Sequence, residues 1–186
     1  MEPTPAIVAG TKSLDAPRTR LVDATCTPDM TRCGGHTEAM TPEDVELRNE
    51  TYRLFVALGR SPSSDEVGAA AHLSSFDVRE GWQRLHEEHA LVLNSEGSEI
   101  RMANPFSAVP TAYRVRADGR WWYANCAWDA FGICAALHSD GRIEASCPDC
   151  GEPLAVDVVD QLPHESSLVF HCLVPAGRWW DDIVFT

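Results

Sequence analysis

Several features are missing from this 186-residue sequence, and each absence narrows the reading. It has no run of roughly 18 apolar residues, which a membrane helix would need. Its N-terminus lacks a basic stretch followed by an apolar one, so no secretory signal is expected and the chain is placed in the cytoplasm. It has no basic excess: 15 Lys and Arg stand against 28 Asp and Glu, for a net charge of −13. A surface that neutralises phosphates needs cations, so nucleic acid is disfavoured as the main partner. No internal repeat is visible.

Cysteine, by contrast, is plentiful. Seven cysteines are an odd number, in a chain read as cytoplasmic. They are better read as metal ligands, catalytic thiols or core residues than as a disulfide frame.

Residues 1–39 scatter Pro, Thr, Gly and Asp without any period and are expected to form a disordered arm. The arm carries Cys26, Cys33 and His36, a C-x6-C-x2-H group that could bind a metal but has no standard spacing. From Thr41 the pattern changes. "TPED" predicts a helix start, with Thr41 as N-cap, Pro42 at the first position and Leu47, Leu54, Phe55 and Leu58 on one face; Gly59 ends it. "SSDE" from Ser63 predicts a second helix through about Ala71. "SSFD" from Ser74 predicts a third, with Val78, Trp82, Leu85 and His89 in one stripe. "ALVLNSEGSEIRMA" then reads as strand, turn, strand.

Three helices and a hairpin, over residues 40–104, are the order of a winged helix-turn-helix. Two readings follow: DNA binding through the third helix, or a structural module that packs on its neighbour. The second is preferred, because the third helix is acidic.

Residues 105–186 are richer in strand signals. "NPFSAVPTAY" reads as a loop. "YRVRADGRWWYAN" reads as a hairpin around Asp118 and Gly119. "CAWDAFGICAALH" reads as a helix apolar almost all round, hence buried between layers. "GRIEASCPDCGEPLAVDVV" reads as two strands about a turn. "SSLVFHCLVP" reads as another strand, and "IVFT" as the opening of one more. The fold class is α+β: a helical module packed on a mostly antiparallel sheet with a buried helix.

Two groups could carry chemistry. Cys126 and Asp129 stand three residues apart at a helix start, on one face. The amides and dipole there are expected to lower the thiol's pKa. A carboxylate would oppose that, so the pair makes most sense if sulfur holds something soft while the carboxyl handles a proton. The alternative is a small core residue beside an N-terminal helix acid. The second group is Cys147 and Cys150 in "CPDCG", a knuckle-like turn of the kind that holds zinc, with Cys126 and Cys134 or His171 and Cys172 as candidate partners. A thioredoxin-like role is disfavoured because a strand, not a helix, follows. Cys134 reads as a core thiol, and Cys172 as inward and structural.

Taken together, the helical module, "WYANCAWDAFGICAAL" and "ASCPDCGEPLAVDV" resemble the organomercurial (alkylmercury) lyases over about residues 41–186, most specifically in "NCAWDAFGI". The resemblance implies an alkylmercury-lyase-like catalytic domain over 105–186. It implies that Cys126 binds mercury, that Asp129 transfers the proton and that the cysteine at position 147 is structural. The family reaction is protonolysis of a carbon–mercury bond, giving a hydrocarbon and Hg(II). It requires no cofactor; bound Hg(II) product or a structural zinc on Cys147 and Cys150 are the expected metals. The implied partners are an organomercurial substrate and small thiols or another acceptor of mercuric ion. The family also uses a second active-site cysteine on a strand near the C-terminus, which would be expected just after Thr186. Cys172 is the candidate substitute, and Cys150 is additional to the family pattern. The alternative function is a thiol-based binder of Hg, Cu or Zn with the same fold and no lyase activity, holding the ion through Cys126, Cys147 and Cys150, with Cys134 as a further ligand; the candidate metal residues over the whole chain are Cys126, Cys147, Cys150 and Cys172.

Overall fold

The computed structural model describes residues 40–164, 168, 169 and 174–184. All of them fall within one compact unit, Thr37–Thr186. The expected disordered arm, with Cys26, Cys33 and His36, lies outside the described residues. So do His171, Cys172 and most of "SSLVFHCLVP".

Three helices open the described chain: α1 (Pro42–Leu58), α2 (Ser64–Ala71) and α3 (Ser75–Glu87). Each starts as its sequence dictates. Thr41, Ser63 and Ser74 adopt extended backbone, and each side-chain oxygen accepts from the amide three residues on, at Asp44, Glu66 and Asp77. An oxygen cap satisfies one of the four amides that a helix start leaves unpaired. Gly59 closes α1 in the left-handed region at φ 71°.

The inner face of α1 holds Leu47, Thr51 and Phe55; Leu58, expected on that face, is exposed. Thr51 takes a place that an apolar period would not assign. Its hydroxyl donates to the Leu47 carbonyl (2.8 Å) and accepts from the Trp82 indole N–H of α3 (3.0 Å), so the buried indole is satisfied. At Gly81 of α3, an added Cβ would lie 2.2 Å from Leu47 Cδ2. The two helices therefore meet where α3 has no side chain. His89, expected on the stripe of α3, falls beyond its end at φ 61° and instead stacks on Trp180, with ring centroids 4.0 Å apart. Both arginines of α3 face its neighbours. Arg79 donates to Ser64 of α2 (3.0 Å), and Arg84 grips the buried Asp44 of α1 with two N–H groups (3.0 and 2.8 Å).

Eight antiparallel strands follow: β1 (Val92–Leu93), β2 (Ile100–Ala103), β3 (Phe106–Ser107), β4 (Tyr113–Ala117), β5 (Arg120–Ala124), β6 (Gly141–Ser146), β7 (Pro153–Val159) and β8 (Leu162–Pro163). They form one sheet in the order β1-β2-β3-β5-β4-β6-β7-β8. The segment read as a loop, "NPFSAVPTAY", thus contains a strand. β3 pairs with β2 on one side and, through Phe106 opposite Ala124, with β5 on the other. Two residues are too few to show alternation, so no period could announce it. This short strand joins the hairpin after α3 to the rest of the sheet.

The hairpin β4–β5 turns through Asp118 (φ 50°) and Gly119 (φ 71°), and its register sets Val115 opposite Trp122. Val115, Ala117, Trp122 and Ala124 face the core, as period-2 alternation requires. Phe55 of α1, Phe106 and Trp122 form the aromatic centre, with successive centroids 5.4 and 5.1 Å apart. Arg120 of β5 donates to the carbonyls of Val56 and Ala57 at the end of α1 (3.1 and 2.9 Å). The helical module is thereby locked to the sheet by packing and by a side-chain cap.

α4 (Ala127–Ala136) crosses between β5 and β6. It was expected to be buried all round. Only Ala130, Ile133 and Cys134 are; Trp128 is 61% exposed, because one face of the helix packs on the sheet and the other does not. Gly141 allows that close approach: a Cβ there would lie 2.6 Å from Cys134 Sγ. A 3-10 helix, Ala176–Asp181, ends the described chain. Ile183 and Val184, expected to open a strand, lie in a turn.

The Asp44–Arg84 pair gives a test. Burial raises the Asp44 pKa, but the bonds from Arg84 and Thr41 together outweigh it and leave it lowered. A lowered carboxyl pKa contributes stability above the unfolded value of about 3.9, and that contribution is lost as pH falls through the folded pKa. Arg84 is half exposed, so screening limits the effect. Arg84→Ala should cost about 1–2 kcal/mol in urea unfolding at pH 7. The gap to the wild type should close in acid, below the usual carboxylate range; a gap independent of pH would contradict the assignment.

Candidate functional site

The start of α4 departs from the other three helices in one atom. Thr41, Ser63 and Ser74 cap with oxygen and have Asp44, Glu66 and Asp77 at the third helical position. α4 has the same spacing, with Cys126 as N-cap (φ −147°, ψ −179°) and Asp129 third; its side chain makes no bond of capping geometry, though the Asp129 and Trp128 amides lie near enough to the sulfur to favour thiolate. The Cys-x-x-Asp motif has the spacing of a capping box, with a thiol where the other helices place a hydroxyl. Sulfur is a weak acceptor, so the site gives up a standard stabilising contact in favour of a polarisable ligand atom.

This position corrects one expectation. Cys126 was read within the first turn, with a lowered pKa. It sits one residue before the helix, half-buried, and its pKa is raised. Burial is the largest cause; the amides of Asp129 and Trp128 oppose it, while the Asp129 carboxyl adds to the rise. Burial thus favours the thiol over the thiolate at this sulfur.

Asp129 is also partly buried, and its pKa is raised. Burial dominates, against the bonds from Asn125 and Cys126 that favour the carboxylate. The carboxyl thus holds its proton to higher pH than an ordinary aspartate.

Asn125 fixes this carboxyl. Its amide nitrogen lies 3.0 Å from Asp129 Oδ2, 3.0 Å from Asn104 Oδ1 and 3.4 Å from the Phe106 carbonyl. Two of these acceptors, the carbonyl and the carboxyl, assign the amide orientation, since only nitrogen can donate to them. The other amide atom, Oδ1, is buried without a partner among the described residues. The β5 end before it is held by Thr111, whose hydroxyl donates to the Ala124 carbonyl (2.6 Å) and accepts from the Tyr113 amide (3.2 Å). Tyr52 of α1 approaches from the helical module. Burial raises its pKa, and the Asp129 carboxylate is close enough to add to the rise. Sequence reading missed Asn125, Asn104, Thr111 and Tyr52. Only the repeated box spacing, oxygen at three helix starts and sulfur at the fourth, was there to be read.

Beside α4 lies an open cleft of about 700 Å³, lined by Ala127 and Phe131 of α4, by Tyr113, Ile143, Leu154 and Val156 of the sheet, and by Cys147 and Cys150. Cys147 follows β6, and the turn closes with its amide on the Glu152 carbonyl (2.8 Å) and the Gly151 amide on its own carbonyl (2.9 Å). The amides of Cys150 and Asp149, then the Cys150 thiol, hold the Cys147 pKa below its ordinary value. Cys150 is exposed, and Cys134 is wholly buried behind α4.

Among the described residues no three His, Cys, Asp or Glu side chains gather closely enough to hold a metal ion. Cys126, Cys134, Cys147 and Cys150 are not brought into one cluster, and a four-ligand zinc shell is not furnished.

A thiol–carboxyl pair at a helix start, beside an apolar cleft on an antiparallel sheet, defines a class of α+β protein suited to soft, apolar ligands. Residues 106–186 match the family model described as MerB, alkylmercury lyase. Over this strand-rich part the chain is similar to the alkylmercury lyases. A solved structure described as the crystal structure of the mercury-bound form of MerB2 has the same fold, with a TM-score of 0.57 at 20% identity. The match covers 69% of this chain and 61% of that one, so this chain spans about three fifths of its length. No curated protein matches the chain.

Replacing Asp129 by Asn tests its environment. A raised carboxyl pKa means the folded state is favoured with the group protonated and penalised as pH rises through the folded value. Asp129→Asn removes that penalty and keeps an acceptor for Asn125. Its melting temperature should exceed the wild type's at pH 8 and converge with it toward pH 4. Equal melting curves at both pH values would show that the carboxyl is not held in its neutral form.

Proposed function

We propose that this chain performs the family reaction, protonolysis of a carbon–mercury bond, with Cys126 as mercury ligand and Asp129 as proton donor. The observation that carries the reading is the thiol in place of a hydroxyl at capping-box spacing, with its carboxyl raised in pKa and fixed by Asn125.

The chemistry follows from those two groups. An organomercurial R–Hg–X exchanges X for the Cys126 sulfur, and the thiol proton leaves with X. Soft mercury favours sulfur over the surrounding oxygens. Electron density from thiolate ligands makes the mercury-bound carbon more basic. Asp129, whose pKa burial raises, delivers its proton to that carbon as the carbon–mercury bond breaks. The hydrocarbon R–H leaves, and Hg(II) remains on sulfur. A second thiolate balances its charge; a small thiol in solution supplies it, or Cys172, which lies outside the described residues. The aromatic and aliphatic lining beside Ala127 suits an apolar R group. No helix among the described residues is long and apolar enough to cross a membrane.

The decisive experiment is a single-turnover assay with an arylmercurial and excess small thiol, followed by chromatographic detection of arene. The wild type should release arene. Cys126→Ser should abolish release, and Asp129→Asn should slow it by about a hundredfold or more, the usual worth of a general acid. Stoichiometric mercury uptake through Cys126 without arene would instead support the metal-binding alternative.

A further inference from the structure

The pair Cys147 and Cys150 remains outside this reaction, and the geometry points to a use for it. We infer that these two thiols form a separate two-sulfur site for a soft, thiophilic cation of the mercuric type, at the edge of the cleft beside α4.

Three observations carry the inference. First, the sequence Cys-Pro-Asp-Cys turns back on itself: the Gly151 amide bonds the Cys147 carbonyl, and the Cys147 amide bonds the Glu152 carbonyl. This tight turn sets Cys147 and Cys150 three residues apart at the rim of the same cleft. Second, the donor set is two sulfurs. No third carboxylate, imidazole or thiol among the described residues completes a group of three. Zinc needs four ligands. A mercuric ion is satisfied by two thiolates, whose charges neutralise it, and soft sulfur donors select for it. Third, both sulfurs line the same cleft as Ala127, the residue after Cys126, while Cys126 itself is not among the lining residues. The dithiol is thus a site of its own, near the thiol–carboxyl pair but not part of it.

Loading is a ligand exchange without redox change. A mercuric ion carried by two small thiolates loses both; bonds form from mercury to Cys147 Sγ and Cys150 Sγ. The two cysteine protons leave on the released small thiols. Because both sulfurs belong to one turn, the second bond forms intramolecularly and gains roughly a hundredfold over two independent thiols. The site needs only Hg(II), from any source, so it does not depend on the proposed lyase activity.

The test uses the full chain carrying Cys126→Ser, loaded with mercuric chloride in excess glutathione and measured by native mass spectrometry. One mercuric ion should be retained. Adding Cys150→Ser, a change at an exposed residue, should weaken retention by about a hundredfold. Unchanged retention would overturn the site, as would zinc being held as tightly as mercury. A second measurement guards against a misfolded variant: in the unsubstituted chain, mercuric ion should protect Cys147 and Cys150 together from alkylation, read by peptide mapping. Protection confined to other cysteines would also overturn it.

Discussion

The unpaired amides at the start of α4 are the constraint around which the site is arranged. A helix N-terminus demands an acceptor, and the three preceding helices supply a hydroxyl. α4 supplies sulfur, which accepts poorly, and so retains a partly buried thiol beside a partly buried carboxyl. Burial raises the pKa of both; the carboxyl adds to the rise at the thiol, while the bonds from Asn125 and Cys126 only partly offset it at the carboxyl. Both groups thus hold their protons to higher pH than ordinary residues of their types.

Holding that arrangement takes contacts from several directions. Asn125 fixes the carboxyl, Thr111 fixes the strand end, and Pro105 packs against Gly132 on α4. The helical module contributes as well. Arg120 caps α1 from β5, the Phe55–Phe106–Trp122 stack joins α1 to the sheet, and Tyr52 comes within electrostatic reach of Asp129. In α3, both arginines engage α1 and α2, so the cations that a nucleic-acid reading would enlist already have partners.

The cysteines divide by environment more than by spacing. Cys134 is enclosed by the sheet, with no room beyond the hydrogen of Gly141. Cys126 sits at a helix entrance. Cys147 and Cys150 share a turn whose amides lower the Cys147 pKa. Thiols of one residue type thus occupy three settings: a packed core, a half-buried helix start beside a carboxyl, and a surface turn.

The sequence by itself determined the local structure: the three capped helices, the Asp118–Gly119 hairpin, the strand pair flanking "CPDCG", and Cys126 with Asp129 on one face. These depend on caps, turn residues and periods, which act over a few positions. Tertiary structure decided what depends on distant neighbours. The two-residue β3 exists only because β2 and β5 flank it. α4 buries Ala130, Ile133 and Cys134 against the sheet and leaves Trp128 largely exposed, which apolar content could not reveal. The sign of the Cys126 shift was set by burial over the helix amides, and the role of Asn125 by acceptors at Asn104, Phe106 and Asp129. Each is a balance struck across the fold, and no short window of sequence contains both sides of it.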